Sequence, residues 1–358
     1  RSASMAMRNG SLMRWSSVGC LAAVPCLLWV PQTAAQRAAD EPCASQVMDA
    51  PAWQRAVTQQ PVANRPAVKS VVECVDGLAG SIRYDGKKVV GVRCEKYPAS
   101  DADAKVLAGL MDIEELALRG DAVTDTAVEY LARLPNLYDL SLEGTSITDK
   151  GVAKLKQLRN LRRLNLSRSH QVTDAALAHL AALPDLQYLE LRDNNIGDAG
   201  LEHLIDCKKV RLLDVRGCRG VTDVGLGHLK GSARLRAIRL RSPAISDFGL
   251  AKLAGLRQLT ELSVEGPAAI TDEGLSVLAE FSEMTSLRVS NCPGVSDRGL
   301  GALADMPKLR LLFLRGTPIT GACLGYVRDS ADLRRIDLAE TKADDDALKH
   351  VRVIRNLK

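Results

Sequence analysis

Residues 210–229 read VRLLDVRGCRGVTDVGLGHL, and their two halves obey different periods. Val210, Leu213 and Val215 follow an apolar-x-x-apolar-x-apolar pattern whose last members alternate as a strand requires. Gly217 and Gly220 then punctuate a turn, Thr222-Asp223 offers side-chain oxygens to open a helix, and Leu226 and Leu229 continue at helical spacing. A strand and helix this short cannot bury a core alone, so copies must stack on it. The copies are present: the middle strand position recurs at Val92, Leu116, Leu140, Leu164, Leu189, Leu213, Ile238, Leu262, Leu287, Leu312 and Ile336, always 24 or 25 residues apart.

Eleven units of this period predict an α/β leucine-rich-repeat solenoid over residues 89–358, with a curved parallel sheet inside and helices outside. The strand-to-helix turn absorbs each one-residue insertion, whereas the distance from the Thr/Ser of one unit to the first strand residue of the next is constant, as from Thr124 to Leu137 and Thr222 to Leu235. The Thr/Ser-Asp pairs read as helix caps. The small residue three positions on, such as Ala127, Gly151 or Gly225, is predicted to allow close helix–strand packing, and Cys323 in that slot to be a buried thiol.

Upstream, residues 66–88 are predicted to cap the array, beginning with a helix from Pro66 to Gly80 that carries Ala67, Val71, Cys74 and Leu78 on one stripe. Residues 36–65, with Pro42, Pro51 and Pro61 and no apolar period, read as a linker. Residues 1–35 resemble a secretory signal peptide: Arg8 and Arg14, an apolar run from Val18 to Val30, and Thr33-Ala34-Ala35 before a cut at Gln36. The alternative for this segment is an uncleaved anchor. Net charge is +5, and +2 without Arg1, Arg8 and Arg14. No Lys/Arg block follows, so nucleic acid is not an expected partner.

Strand alternation puts the third, fifth and seventh positions of each unit on the concave face. Two stations there are predicted to bind a partner. The first centres on Arg192, Arg216 and Arg241 at one position of three successive strands, with Tyr188, Glu190, Asp214 and Arg239 beside them and Arg288 further along. Such a ladder is either neutralised by Glu190 and Asp214 or open to carboxylate or phosphate oxygens. The second is Leu311 and Phe313 with Arg315, an aromatic expected to be exposed in a chain with three Phe.

Catalytic signatures such as G-x-S-x-G, H-E-x-x-H and the P-loop are absent, so no enzyme, cofactor or metal site is predicted. His179, His203, His228 and His350 recur at one repeat position outside the core, on helices too far apart to converge on one ion. Cys74 and Cys94 should meet where the capping helix packs on the first unit, either as a disulfide or as two thiols.

Segments such as GCRGVTDVGLGHL and NCPGVSDRGL resemble the cysteine-containing leucine-rich repeats of F-box proteins, while ITDKGVAKL and GSIRYDGKKVVGV resemble the secreted repeat proteins of some bacteria. With the signal-like start, the second resemblance implies a secreted, periplasmic or envelope protein that binds a protein partner, and the arginine ladder would suit one with an acidic surface. The first implies an intracellular substrate-recognition adaptor in ubiquitin-dependent turnover, which would need residues 1–35 retained. No transmembrane segment is expected after signal cleavage.

Overall fold

The computed structural model describes residues 66–358 except 267, 268, 329, 331, 355 and 358. The signal-like segment, the linker and Cys43 therefore lie outside the described residues. Helix α1 (Pro66–Gly77) leads into β1 (Ser81–Asp85), which pairs antiparallel with β2 (Lys88–Cys94). From β2 onward ten further strands add in sequence order, all parallel: β3 (Glu115–Gly120), β4 (Asp139–Thr145), β5 (Arg163–Asn165), β6 (Tyr188–Glu190), β7 (Leu212–Asp214), β8 (Ala237–Leu240), β9 (Glu261–Glu265), β10 (Ser286–Ser290), β11 (Leu311–Phe313) and β12 (Arg335–Asp337). Their register follows the repeat position for position: Leu189 pairs with Leu213, and Leu213 with Ile238.

The predicted first helix ends three residues early because Ala79 turns left-handed (φ +47°) and Gly80 N bonds Val75 O at 2.8 Å, which closes the helix ahead of a hairpin. Gly86, at φ +58°, opens the two-residue turn between β1 and β2. An Asp-Gly pair ahead of an apolar run is a hairpin signal, and this strand was legible there.

Inward strand positions form the core as expected: Leu213, Val215, Leu226 and Leu229 are all at most 1% exposed. On the convex side the units carry α2 (Asp101–Leu107), α3 (Asp125–Leu131), α4 (Asp149–Lys154), α5 (Asp174–Leu180), α6 (Asp198–His203), α7 (Asp223–His228) and α8 (Asp247–Ala251). Three 3-10 segments follow at Gly274–Glu280, Gly301–Asp305 and Ala322–Val327, and α9 (Asp345–Val351) closes the series.

The Thr/Ser-Asp pairs do more than cap. Thr222 accepts from Val224 N, as an N-cap should, but its Asp neighbour reaches out of the unit. Asp198 Oδ1 accepts from Thr222 N (2.8 Å) and Gly225 N (2.9 Å), while Oδ2 accepts from the Thr222 hydroxyl (2.6 Å). Asp125, Asp149, Asp223, Asp247 and Asp272 hold the Thr or Ser of the next unit in the same way. This rail of carboxylates also corrects the reading of the small residue. A Cβ on Gly225 or Gly249 would stand 2.3 or 2.2 Å from the preceding unit's Asp Oδ1, so the slot makes room for a carboxylate, not for a strand.

Eight of the concave strands end in a left-handed residue at the position after the seventh: Gly144, Arg168, Asp193, Gly217, Gly266, Asn291, Gly316 and Glu340 all have φ between 55 and 81°. The corner turns the chain towards the convex side. Where it is not glycine, it adds a side chain to the rim of the concave face, at a local backbone cost of about 1 kcal/mol.

A candidate concave recognition face

The arginines predicted as a ladder do occupy equivalent places, but their guanidinia are spoken for. Arg216 Nε and Nη2 donate to both Asp214 carboxylate oxygens (2.7–3.1 Å), and Glu265 lies 3.7 Å from Arg216 Nη1. Arg239 donates to Glu261 at 2.6 Å. Arg192 reaches two strands back to Glu143 (3.2 Å), and Arg241 two strands back to Asp193 (2.9 Å). The ladder is thus self-neutralised, with one correction to the partners expected: Asp214 does pair, whereas Glu190 does not. Burial and the adjacent Asp214 charge instead push the Glu190 carboxyl up. Asp193 was missed because the left-handed corner that aims it at the groove is not visible as a strand position.

Asp214, Arg216 and Arg239 are 1, 9 and 8% exposed, which makes this central cluster part of the packed structure. Charges in such a place need partners, and the groove supplies them internally.

Phe313 is corrected too. It is 7% exposed, covered by the Arg288 guanidinium 4.2 Å from its ring centroid and by Arg335 at 5.5 Å. Neighbouring strands lie only about 4.8 Å apart, so long side chains on the flanking strands fold over the ring. Leu311 stays half-buried, and Arg315 bonds Glu340 at 2.5 Å from the corner of the last strand. A second stack has the same form: the Arg163 guanidinium sits 4.3 Å from the Tyr188 ring, which is itself 7% exposed.

Asp139, on β4 beside Arg163, was not singled out in the sequence. Burial pushes its carboxyl from 3.8 to about 6, against the pull of Arg163 and Arg93 and with help from Glu115 and Glu95. The folded protein therefore binds this proton more tightly than the unfolded chain does. Asp139 consequently favours folding fully at low pH and loses that contribution as pH rises from 3.8 through about 6. Asp139→Asn is expected to flatten this part of the stability-pH curve and to raise stability above it, as measured by urea unfolding across the range.

Cys74 and Cys94 carry free thiols. Cys74 Sγ donates to Asp103 (3.3 Å), Cys94 is fully buried, and burial pushes both thiols up to about 12. Cys323 is buried as expected. His179 and His203 are exposed, outside the core. No group of three metal-ligating side chains that could hold an ion occurs among the described residues, and no helix among them is long and apolar enough to cross a membrane.

Comparison with solved structures supplies the last observation. An internalin (inlF) from Listeria monocytogenes str. 4b F2365 superposes with a TM-score of 0.57 at 21% identity, over 84% of this chain and 85% of its own. The chain is a leucine-rich-repeat solenoid. The family profile for the Leucine Rich repeat matches residues 182–204, which run from the end of α5 through β6 to α6. The leucine-rich-repeat fold also matches the yeast Rad7 and Elc1 complex, with a TM-score of 0.58 at 20% identity over 77% of this chain and 76% of that one. A search of curated proteins finds no match. Identities this low speak for the leucine-rich-repeat fold and leave function to the faces it displays.

Proposed function

We propose that this is a non-enzymatic recognition protein, exported to the envelope or exterior, that binds a protein partner through its concave sheet. The observation that carries the reading is where the unsatisfied polar atoms lie. Five buried side-chain polar atoms have no hydrogen-bond partner among the described residues, and three of them, Tyr188 Oη, Arg192 Nε and Ser290 Oγ, occupy concave positions of the repeat, the others being Arg83 Nε and Asn194 Oδ1. Such atoms are costly to leave unpaired, and an incoming partner can satisfy them.

The Tyr188 and Phe313 stacks lie five strands apart, or about 24 Å at 4.8 Å per strand. A small molecule cannot engage both stations, while a protein interface of ordinary size can. An acidic partner surface would bind by exchange, taking guanidinia from Glu143, Asp193 and Glu265. That Rad7 is seen with a second protein, Elc1, supports a protein as the kind of ligand.

A partner captured from the native compartment allows the test. Leu311→Ala is expected to speed dissociation with little change in salt dependence, because it removes the half-buried apolar contact of the Phe313 station. Arg241→Ala should instead slow association and flatten its salt dependence. Arg241 is the suitable ladder member, since half its side chain is exposed and its loss leaves the buried Asp214 cluster intact. If neither rate moves while convex substitutions alter binding, concave recognition is wrong. Export has its own test: a mature N-terminus near Gln36 in the native host supports it, and a retained start at Met5, Met7 or Met13 refutes it.

A further inference from the structure

The helix-to-strand returns, which lead directly into the concave strands, form a rim of their own. Successive returns are stacked: Asn160 Nδ2 donates to Pro135 O (2.8 Å), Arg159 to Ala182 O (3.4 Å) and Gln258 to Ser232 O (3.1 Å). The backbone adds a ladder of the second repeat position, in which Arg162 N bonds Tyr138 O, Gln187 N bonds Arg162 O, Arg211 N bonds Gln187 O and Arg236 N bonds Arg211 O. Charges on consecutive returns are therefore neighbours.

Across the six returns 131–138, 155–162, 180–187, 204–211, 229–236 and 253–260 there are eleven Lys or Arg and two acids, Asp185 and Asp206. This rim alone is more basic than the whole chain at +5. The bias is not a habit of the repeat, because it stops on both sides: returns 107–114 and 278–285 each hold two acids and no base. Within the rim only Lys209 and Arg257 reach carboxylates among the described residues, Asp185 and Glu280. Lys156, Arg159, Arg162, Lys230 and Arg234 are exposed with no ion pair among those residues. The concave arginines, by contrast, are nearly all paired. Amid these cations Ile205 is 45% exposed, and the one aromatic residue of the six segments, Tyr138, turns its hydroxyl to Glu115 at 2.6 Å.

We propose that this rim docks the protein on a bilayer containing acidic phospholipid. Long basic side chains without ion pairs, spread along a row with one shallow apolar side chain and no aromatic anchor among them, suit a fluid anionic plane better than the shaped surface of a protein. Docked by its side, the solenoid keeps the concave face open, so both contacts can be made at once. The proposal does not depend on concave recognition.

Co-sedimentation of the full chain with phosphatidylcholine vesicles, with and without phosphatidylserine, tests it. Binding is expected only to the acidic vesicles and should be lost at high salt. Arg159→Glu with Arg234→Glu, and separately Lys156→Glu with Lys230→Glu, should each weaken that binding by more than about tenfold while melting like the parent. Lys150→Glu with Arg298→Glu makes the same change in net charge off the rim and should leave binding in place. Equal binding to neutral vesicles, equal loss in the rim and off-rim variants, or capture of soluble polyphosphate or an acidic protein without vesicle binding would each overturn the proposal.

Discussion

Leu213→Asp is expected to destabilise the protein by about 4–5 kcal/mol, the largest single effect in the array, because it places an unpaired carboxylate among leucines. Leu213 is 1% exposed, at the centre of β7, and its inward neighbours on β6 and β8 are Leu189 and Ile238. No donor faces it. The adjacent residue gives the instructive contrast. Strand alternation alone makes Asp214 an outward, dispensable position, but the structure buries it under Arg216 and Arg239. Asp214→Ala should therefore cost about 2–3 kcal/mol, less than the full loss of a buried pair because Glu265 and Glu261 still hold the two arginines. Urea melts of both variants decide: if Asp214→Ala melts with the parent, the central ion cluster contributes nothing, and if Leu213→Asp does so, the strand register is wrong.

Asp198→Ala should cost about 3 kcal/mol, since it strips three donors of the following unit, two of them backbone amides, of a charged acceptor. Thr222→Ala should cost about 1 kcal/mol, the worth of an ordinary cap. Asp198→Asn should fall between, retaining an oxygen for the amides. In a stacked array the damage is local to a joint, so amide exchange should rise first on either side of the α6–α7 junction. Exchange that rises evenly along the chain would show that the rail is not what couples the units.

Most of the fold was legible because period and alternation are local. Eleven middle residues spaced by 24 or 25 specify strand order and register without any knowledge of contacts. What the sequence did not disclose depends on geometry between units. The small residue after each cap is small because of an aspartate some 25 positions earlier, as Gly225 is for Asp198. Phe313 reads as an exposed aromatic until the flanking Arg288 and Arg335 are seen to close over it. Asp193 and Glu340 lie just past the strand pattern, and only the left-handed corner makes them partners of Arg241 and Arg315. The rim cations were visible as letters, yet they became a patch only once the returns were known to stack.

The carboxylate rail makes most joints alike: an aspartate leads, and a Thr or Ser with its amide follows, with Gly197 standing in for the Thr at the joint after Asp174. Nothing in that connection consults the outward residues of either strand. A unit could be duplicated, dropped or exchanged in frame and the same plug would find the same socket, while the pattern shown on the concave side shifted by one register. The scaffold and the message it displays are thus written in separate alphabets, and the second can be rewritten by copying whole lines without editing the first.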